Sequence, residues 1–394
     1  MKERLSLPKG WEIKTIGDVC VSASSNISQN KLANDEGDYP IYGASGLIKK
    51  VSFYHQDKPY LSIVKDGSGV GRVTKMDAYT SVIGTLQYIL PKENIDLDYL
   101  NYSLMSVDFK KYVAGAAIPH IYFKDYKNEP FLWMPLPEQQ RIVSILDEAF
   151  AAIAKAKTNA EQNLKNAKEL FESYLEDLFS NLFRERDKRT VSELAKVIGG
   201  YSFKSTDFKK EGKYQVIRMG NVRPGIIREN ESPVFIDELD DKALSKALLL
   251  PNDVIITQTG TKKKRDYGFT VIIEKENYLL NQRIASIRFS DKYLPKFFLY
   301  FSWSNIFKDQ YFANETGTVG QGNVGIGAIT EAIVPFIPVN EQKMIIDSID
   351  ELRIETQKLE AVYQKKIDDL EELKKSILQK AFAGELKTEK VLAI

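Results

Sequence analysis

The sequence contains few of the residues that build metal centres and covalent cross-links. Among 394 residues there is one cysteine, Cys20, and there are two histidines, His55 and His120. A single cysteine excludes a disulfide framework within the chain, and three such residues are too few for the Cys- and His-rich clusters of structural zinc sites. We therefore predict a chain without a structural metal.

Long apolar runs and an excess of charge of one sign are absent as well. No apolar stretch reaches the roughly 18 residues that a membrane-spanning helix needs, and Met1–Gly10 is too polar for a secretory signal peptide. These features predict a soluble, cytoplasmic protein. Lysine and arginine number 55 against 54 aspartates and glutamates, a net charge of +1. Any surface that binds nucleic acid must therefore be local.

Motifs of nucleotide-dependent and hydrolytic enzymes are missing or out of context. Gly320–Gly325 fits the pattern G-x-G-x-x-G, but a dinucleotide site needs a buried strand before it and a helix after it. Here Ala313–Thr318 is polar, and Ile326–Pro335 is typical of a strand or loop. Asp66–Arg72 is a turn without the Lys-Ser/Thr pair of a phosphate-binding loop. Because no Ser/His/Asp order, metal-ligand cluster, paired-carboxylate signature or Asn/Asp-Pro-Pro-aromatic motif is found, we predict no catalytic residue and no cofactor.

The chain does contain one segment that occurs twice. Residues 135–142 read PLPEQQRI, and residues 338–345 read PVNEQKMI. The offset of 203 residues, from Glu138 to Glu341, then holds without a gap, so that Asp147 aligns with Asp350 and Phe179 with Phe382. An internal repeat of this kind constrains the fold more than any local propensity does.

Each copy of the repeat predicts a long amphipathic helix. Residues 138–183 and 341–383 contain no proline or glycine, and Gly384 fits a C-terminal cap. Apolar residues recur every three or four positions and form one stripe, to which Leu170 and Leu359 belong. A helix of about 65–70 Å cannot bury such a stripe alone. We therefore predict that the two helices pack as an antiparallel coiled coil, the alternative being two unrelated helices in separate cores.

The remaining sequence predicts two globular domains of mixed α and β structure. The predicted order is a globular domain at residues 1–134, a helical region at 135–185, a second globular domain at 186–337, and a second helical region with a C-terminal tail at 338–394. The fold class is therefore α+β, with two globular domains separated by two long helices and a pseudo-twofold internal repeat. The predicted strands are Tyr39–Tyr42, Leu61–Val64, Val70–Thr74, Leu86–Leu90, Tyr214–Met219, Val254–Thr257, Thr270–Glu274 and Ile284–Phe289.

The two globular domains are expected to resemble each other in plan only. Arg189–Leu194 is similar to Lys14–Val19 at an offset of 175, so the second domain carries 28 more residues than the first. Leu97–Val113 and Leu294–Phe312 are the matching helical pieces. The charged run Arg184–Arg189 predicts a solvated linker.

Four features of the chain together point to a known family. They are the opening LPKGWE at residues 7–12, the repeated P-x-x-E-Q-x-x-I, the ending ILQKAFAGEL at residues 377–386, and the alternation of variable domains with repeated helices. In this order they resemble the DNA-specificity subunit of type I restriction–modification enzymes, over essentially the whole chain.

The resemblance implies a function without catalysis. Each globular domain would be a target recognition domain that reads one half of a bipartite site in double-stranded DNA. The helices would set the spacer and dock two modification (methyltransferase) subunits, and restriction subunits would join the complex. The S-adenosylmethionine cofactor would sit in the partner, since methyl transfer requires the base to leave the stack.

Because the globular domains diverge, no base-reading position transfers from the family, and candidate DNA contacts are chosen by residue type. Lysine and arginine suit phosphates, whereas Gln, Asn, Ser and Arg in loops suit base edges. The strongest basic cluster, residues 262–265, lies between two predicted strands, although such runs are also common on solvated faces. The candidates are Lys31, Ser45, Lys49, Lys50, Gln56, Lys65, Ser68, Arg72, Lys75, Arg218, Asn221, Arg223, Gln258, Lys262, Lys263, Lys264, Arg265 and Gln321.

Two other functions remain as alternatives. A coiled-coil scaffold with two ligand- or protein-binding heads and no DNA role would have the same architecture, and a DNA pull-down with the purified complex would discriminate. An enzyme with an unrecognised site in one head is disfavoured by the shortage of histidine and cysteine.

Overall fold

A computed structural model of the chain describes residues 7, 9–262, 264–318 and 320–385. Their contacts divide them into two compact units. The first unit comprises the described residues up to Gln162 and those from Gln364 onward, and the second comprises those of Asn163–Tyr363. Parts of the sequence predictions concern Pro8, Lys263, Leu386 and the rest of the C-terminal tail, which lie outside the described residues.

The first globular domain combines short strands with short helices. Its main sheet has the order β2-β8-β5-β6, and a smaller sheet has the order β4-β3-β7. Its strands are β1 Glu12–Thr15, β2 Cys20–Ser24, β3 Tyr39–Gly43, β4 Gly46–Val51, β5 Tyr60–Val64, β6 Val73–Met76, β7 Ser81–Val82, β8 Leu86–Pro91 and β9 Pro130–Trp133. Its helices are α1 Ile16–Val19, α2 Leu97–Met105 and α3 Phe123–Tyr126, followed by the long helix α4 Leu136–Glu185.

The second globular domain follows the same plan with more elements. Its main sheet has the order β11-β20-β16-β18 and a smaller one the order β15-β12-β19. Its strands are β10 Asp187–Thr190, β11 Ala195–Gly199, β12 Tyr214–Ile217, β13 Val222–Arg223, β14 Ile226–Ile227, β15 Phe235–Ile236, β16 Val254–Thr257, β17 Thr259–Gly260, β18 Thr270–Ile272, β19 Tyr278–Leu280, β20 Ile284–Phe289, β21 Gly322–Asn323 and β22 Ile333–Phe336. Its helices are α5 Val191–Leu194, α6 Asp241–Ala247, α7 Pro295–Phe301, α8 Asn305–Phe312 and α9 Ile326–Thr330, followed by the long helix α10 Val339–Phe382.

The two long helices pack against each other inside each unit. In the first unit, Ile142 and Leu146 near the start of α4 share a core with Leu378 near the end of α10. In the second unit, Phe179 near the end of α4 shares a core with Ile349 near the start of α10. This order confirms the predicted antiparallel packing of the helices.

The predicted apolar stripe is wrong at two of its positions. Leu170 and Leu359 are 51% and 41% exposed. On α4 the neighbouring Phe171 packs against the core instead. At this point of α4 the buried face therefore lies one residue further along the chain than the predicted stripe.

The glutamine of the repeated segment fastens each helix to its globular domain. In the first unit, the Gln139 side chain accepts a hydrogen bond from the Asp96 N–H at 2.9 Å and donates to the carbonyls of Asn94 and Met134 at 3.0 and 2.8 Å. In the second unit, Gln342 accepts from the Leu294 N–H at 2.7 Å. It also donates to the carbonyls of Lys292 and Ile337 at 3.1 and 2.9 Å. Both glutamines are 0% exposed, so the repeated motif contains a buried structural clamp.

The two globular domains match residue by residue in their strand pairing. Glu12 pairs with Trp133 as Asp187 pairs with Phe336, and Leu61 pairs with Ile89 as Val254 pairs with Ile287. The difference in residue number between equivalent positions of the two domains is 175 at the start of the domain and 203 at its end. It increases in the segments between strands. We predicted that the two domains share only a general plan, but their strands also share a residue register. Insertions between the strands hide this register when the two sequences are compared without gaps.

Several element boundaries differ from the predictions for identifiable reasons. Asp187–Thr190 within the charged run pairs with β22, so the predicted linker is wrong for its backbone, although its side chains from Asp187 to Arg189 are exposed. Strand β6 begins only at Val73 because Gly71 takes a left-handed turn with φ +87°. The predicted helix 294–312 is two helices, since the Ser304 side chain caps α8 by accepting from the Phe307 N–H. Ile326–Thr330 is a short helix rather than strand or loop.

Candidate nucleic-acid interface

A polar cleft in the second domain brings several of the predicted residues together. It encloses about 660 Å³ between the 3₁₀ turn Met219–Asn221, the turn before β20 and the segment that contains Glu231 and Ser232. Its walls include Arg218, Asn221 and Arg223 from the predicted set. They also include Asn281, Gln282 and Arg283, which residue-type reasoning missed. The run Asn-Gln-Arg between two strand patterns was a signal that could have identified them.

Asn221 does not face outward as a base reader would. Its side chain is buried, and its amide donates to the carbonyls of Arg228 and Glu231 at 3.1 and 2.8 Å while its oxygen accepts from the Arg218 N–H at 3.0 Å. The amide is therefore used entirely by the turn. We correct its assignment from a base contact to a residue that shapes the cleft.

The two arginines of this turn are partly held by the backbone. The Arg218 guanidinium donates to the Ser232 carbonyl. That of Arg223 donates to the carbonyls of Gly220 and Val222 at 3.0 and 2.8 Å and lies 3.9 Å from the Glu231 carboxylate. These contacts orient the guanidinium groups along the cleft. The walls of the cleft are polar and include side chains of positive and of negative charge.

The described residues of the basic cluster, Lys262, Lys264 and Arg265, lie in a loop after β17 that is organised by one carboxylate. Asp266 accepts from the Thr261 N–H at 2.5 Å and from its hydroxyl at 3.0 Å, and these bonds hold the pKa of the Asp266 carboxyl below its usual value. Lys264 is exposed. Arg265 lies over the Phe312 ring at 4.9 Å and 3.8 Å from Asp309. The loop thus presents cations on a fixed backbone, which suits phosphate contacts.

The remaining candidates of the second domain adjoin this loop. The Lys262 ammonium donates to the Gly317 carbonyl at 3.4 Å, and Gln321 is exposed in the same glycine-rich segment. The Gln258 side chain donates to the Val324 carbonyl at 3.1 Å and is half-buried. Gln258 therefore links the ends of β16 and β21, while the exposed Gln321 side chain makes no hydrogen bond to the residues that the structure describes.

The first domain has a smaller cleft at the edge of its main sheet. It encloses about 240 Å³ and is lined by Tyr42, Ser45, Ser62, Arg72 and Thr74 among others. Ser45, in the turn between β3 and β4, and Arg72, just before β6, come together there, and the Arg72 guanidinium donates to the Ala44 carbonyl. The cleft joins hydroxyls to one cation, a mixture suited to base edges and phosphates.

The other first-domain candidates are scattered, and several have partners within the protein. Lys75 forms an ion pair with Asp98 at 2.6 Å. Lys49 donates to the Leu32 carbonyl at 3.0 Å. Lys65 lies 3.9 Å from Asp66. Gln56 forms a β-bridge with Thr80 and is half-buried, whereas Lys31, Lys50 and Ser68 are exposed.

The loops that end the central strands have the same hydrogen bonds in both domains. The Lys65 N–H donates to the Thr85 carbonyl at 3.0 Å, and the Lys65 carbonyl accepts from Ile121 at 2.9 Å. The Gln258 N–H donates to the Arg283 carbonyl at 2.9 Å, and the Gln258 carbonyl accepts from Val324 at 2.9 Å. One backbone frame therefore carries different side chains in the two domains.

The described part of the chain holds no group of three or more His, Cys, Asp and Glu side chains placed to bind a metal ion. It also holds no helix that is both long and apolar enough to cross a membrane.

Comparison with known proteins identifies similar sequences. A family model described as type I restriction modification DNA specificity domain matches residues 8–164 and 184–372. The specificity subunit of the type I restriction enzyme EcoBI from Escherichia coli is 26% identical over 231 residues, 57% of this chain and 44% of that protein. The EcoKI specificity subunit from Escherichia coli strain K12 is 22% identical over 266 residues, 64% of this chain and 56% of that protein. The chain spans about half the length of these curated relatives.

Solved structures show the same fold. A chain from a structure on complex assembly and conformational transition of the type I R-M system has a TM-score of 0.73 at 16% identity, covering 97% of this chain and all of that one. The HsdS subunit from Thermoanaerobacter tengcongensis has a TM-score of 0.59 at 16% identity, covering 98% of this chain and 99% of that one. At these identities the comparison concerns the fold alone.

Proposed function

We propose, because this chain belongs to the family of type I restriction modification DNA specificity domains, that it is the DNA-recognition subunit of a type I restriction–modification complex. Residues 1–134 and 186–337 would each read one half of a bipartite site in double-stranded DNA. The chain would have no catalytic residue and no cofactor of its own. It would bind two modification subunits and, in the full complex, restriction subunits, in the cytoplasm where the DNA lies.

One observation carries this proposal beyond family membership. The backbone frame at the ends of the central strands is common to both domains, whereas its side chains differ, with Lys65 and Thr85 in one and Gln258 and Arg283 in the other. A repeated frame with unlike side chains suits two readers of unlike base sequences. A scaffold without a DNA role, the alternative, gives no reason for this difference.

Exposed apolar side chains on α10 support the docking of modification subunits on the helices. Ile354, Leu359 and Val362 are 52%, 41% and 60% exposed within a charged helix surface. Exposed apolar groups on a helix rimmed by polar residues are typical of protein–protein contacts. The same face would be covered in the complex.

The proposed function is tested by mapping methylated adenines in cells that express the modification subunits with and without this chain. We expect a bipartite motif to be methylated only when the chain is present. A DNA pull-down with the purified complex should retain duplexes that carry this motif. Methylation that does not depend on the chain, or a complex without sequence preference, would refute the proposal.

The basic loop gives a prediction about salt dependence. With a net charge of +1, the chain alone should bind duplex DNA weakly and with a strong salt dependence. We expect Lys264→Ala to weaken binding to all sequences alike and to lower the slope of log affinity against log salt by about one. The matched control is Lys246→Ala, which removes an equal charge from the exposed side of α6. Equal effects of both variants would assign the loss to net charge rather than to the loop.

The helices give a prediction about the spacer. We expect that seven residues inserted into each helix, next to Gln162 and Gln364, keep the apolar phase and add about 10 Å to each helix. The unread spacer should then lengthen by up to about three base pairs, at about 3.4 Å each, while both half-sites remain the same. Mapping of methylated adenines measures this change. An altered half-site with an unchanged spacer would contradict the role of the helices.

A further inference from the structure

The turn before β20 is held in a strained conformation by three neighbouring segments. Within it, the Asn281 N–H donates to the Ile217 carbonyl at 3.3 Å and the Gln282 N–H to the Tyr201 carbonyl at 2.9 Å. The Arg283 carbonyl accepts from the Gln258 N–H at 2.9 Å. Arg283 itself has φ +68°, in the left-handed region that costs a residue with a Cβ atom free energy. A strained residue that its surroundings fix so completely is a sign of a functional constraint.

The Arg283 side chain differs from the other arginines of the cleft. Whereas Arg218 and Arg223 donate to backbone carbonyls, the guanidinium of Arg283 makes no hydrogen bond or ion pair with any residue that the structure describes. It is exposed and lines the cleft. A guanidinium whose donors have no partner in the described structure, on a turn held by backbone hydrogen bonds, is available for a ligand with a matching pair of acceptors.

The lining of the cleft combines arginines with one carboxylate, a set of side chains that suits base edges. Glu231 lines the same cleft, 3.9 Å from Arg223 and 3.4 Å from Arg228. A carboxylate repels a phosphate but accepts a hydrogen bond from the amino group of cytosine. The commonest specific contact of arginine in the major groove is the bidentate pair with O6 and N7 of guanine. Arg283 and Glu231 in one cleft thus match the two partners of a G·C pair.

On the basis of the function proposed above, we infer that Arg283 is a specificity-determining residue that reads a guanine in the half-site of the second domain. The first domain carries Thr85 at the equivalent place, as the shared hydrogen bond to Lys65 shows. Threonine cannot make a bidentate contact with guanine. The two half-sites should therefore differ in this requirement.

The test compares Arg283→Gly and Arg283→Lys with the parent chain by selection from duplexes randomised over both half-sites. Glycine adopts φ +68° without strain, so the turn keeps its shape while the guanidinium is lost. Lysine keeps the charge but not the planar fork. We expect Arg283→Gly to lose the preference for guanine at one position of the second half-site by about 10- to 100-fold, and Arg283→Lys to keep part of it, since lysine can also contact O6 and N7 of guanine. The first half-site should be unchanged.

The other outcomes overturn the inference and separate it from the proposed function. Unaltered base preferences in the glycine variant, with the parent specific, would refute the role of Arg283 alone. A uniform loss of affinity that Arg283→Lys restores would indicate a phosphate contact and would also refute it. A purified complex of the parent chain with its modification subunits that shows no base preference would refute the proposed function, and this inference with it.

Discussion

Replacement of Gln139 by leucine is expected to lower the free energy of unfolding of the first unit by about 2–4 kcal/mol, since it removes the partner of one buried and two partly buried polar groups, and a fully buried group left unpaired costs about 1–3 kcal/mol. These groups are the Asp96 N–H and the carbonyls of Asn94 and Met134. Leucine matches the side chain in size, so the loss comes from hydrogen bonding rather than from a cavity. Urea unfolding measures the change, and amide exchange of Asp96 reports it locally.

The neighbouring Gln140 provides a matched control. It is exposed on the same turn of α4, and Gln140→Leu should change stability by no more than about 0.5 kcal/mol. Because the chain has two compact units, each can unfold in its own transition, and the transition of the first unit should be the one that shifts. A similar small effect of both substitutions, with unchanged exchange at Asp96, would rule out the clamp.

The second large effect is expected at the buried carboxylate of Asp253. This residue is 1% exposed, and its two oxygens accept from the Arg288 guanidinium at 2.7 Å each. The hydrogen-bonded carboxylate raises the pKa of Arg288 above its usual value. Arg288→Met leaves the charge buried and unpaired, and we expect it to destabilise the second unit by about 3–5 kcal/mol. Thermal unfolding of the second unit measures the loss.

Two further variants make this test specific. Asp253→Asn combined with Arg288→Met removes both charges and should recover much of the stability, because replacing both partners of a buried pair is often close to neutral. Arg228→Met breaks an exposed pair with Glu231 at 3.4 Å and should cost at most about 1 kcal/mol. A double variant that is no more stable than Arg288→Met would show that the arginine acts through its packing instead.

The first domain shows why the double variant should tolerate the loss. By the shared strand register, Tyr60 and Leu90 stand where the second domain has Asp253 and Arg288. The same position in the sheet is therefore filled without an ion pair in one domain. The sheet does not need charged residues at these two positions. A buried charge without its partner, however, would destabilise the domain.

The part of the fold that the sequence predicted best is the pair of long helices, in which a periodic apolar pattern repeats over many turns. The helices were found within two residues of their ends, because apolar spacing accumulates over forty or more residues. Strands β16 and β20 were predicted at their observed bounds, since both are short runs rich in isoleucine, valine and other strand-forming residues between turn residues. Strands β1 and β10 were missed, because short polar strands at a domain edge have no apolar alternation to reveal them.

The candidate site could be predicted only by residue type. Residue-type reasoning selected Arg218 and Arg223 but not Arg283, because the feature that sets Arg283 apart is a backbone conformation fixed by β12, Gln258 and Tyr201. It also chose Asn221, whose burial follows from the fold of the turn and not from its neighbours in the sequence. A local sequence pattern does not show which short loops come together in space.

The pairing of β1 with β9 and of β10 with β22 has a consequence for how such a chain can change. Each domain enters and leaves through two strands that are hydrogen-bonded side by side. Insertions or deletions between these strands change the size of the domain, but they do not change the points at which the domain joins the adjoining helices. The 28 additional residues of the second domain are such a case. New recognition surfaces can therefore arise by insertion without any adjustment of the helical support.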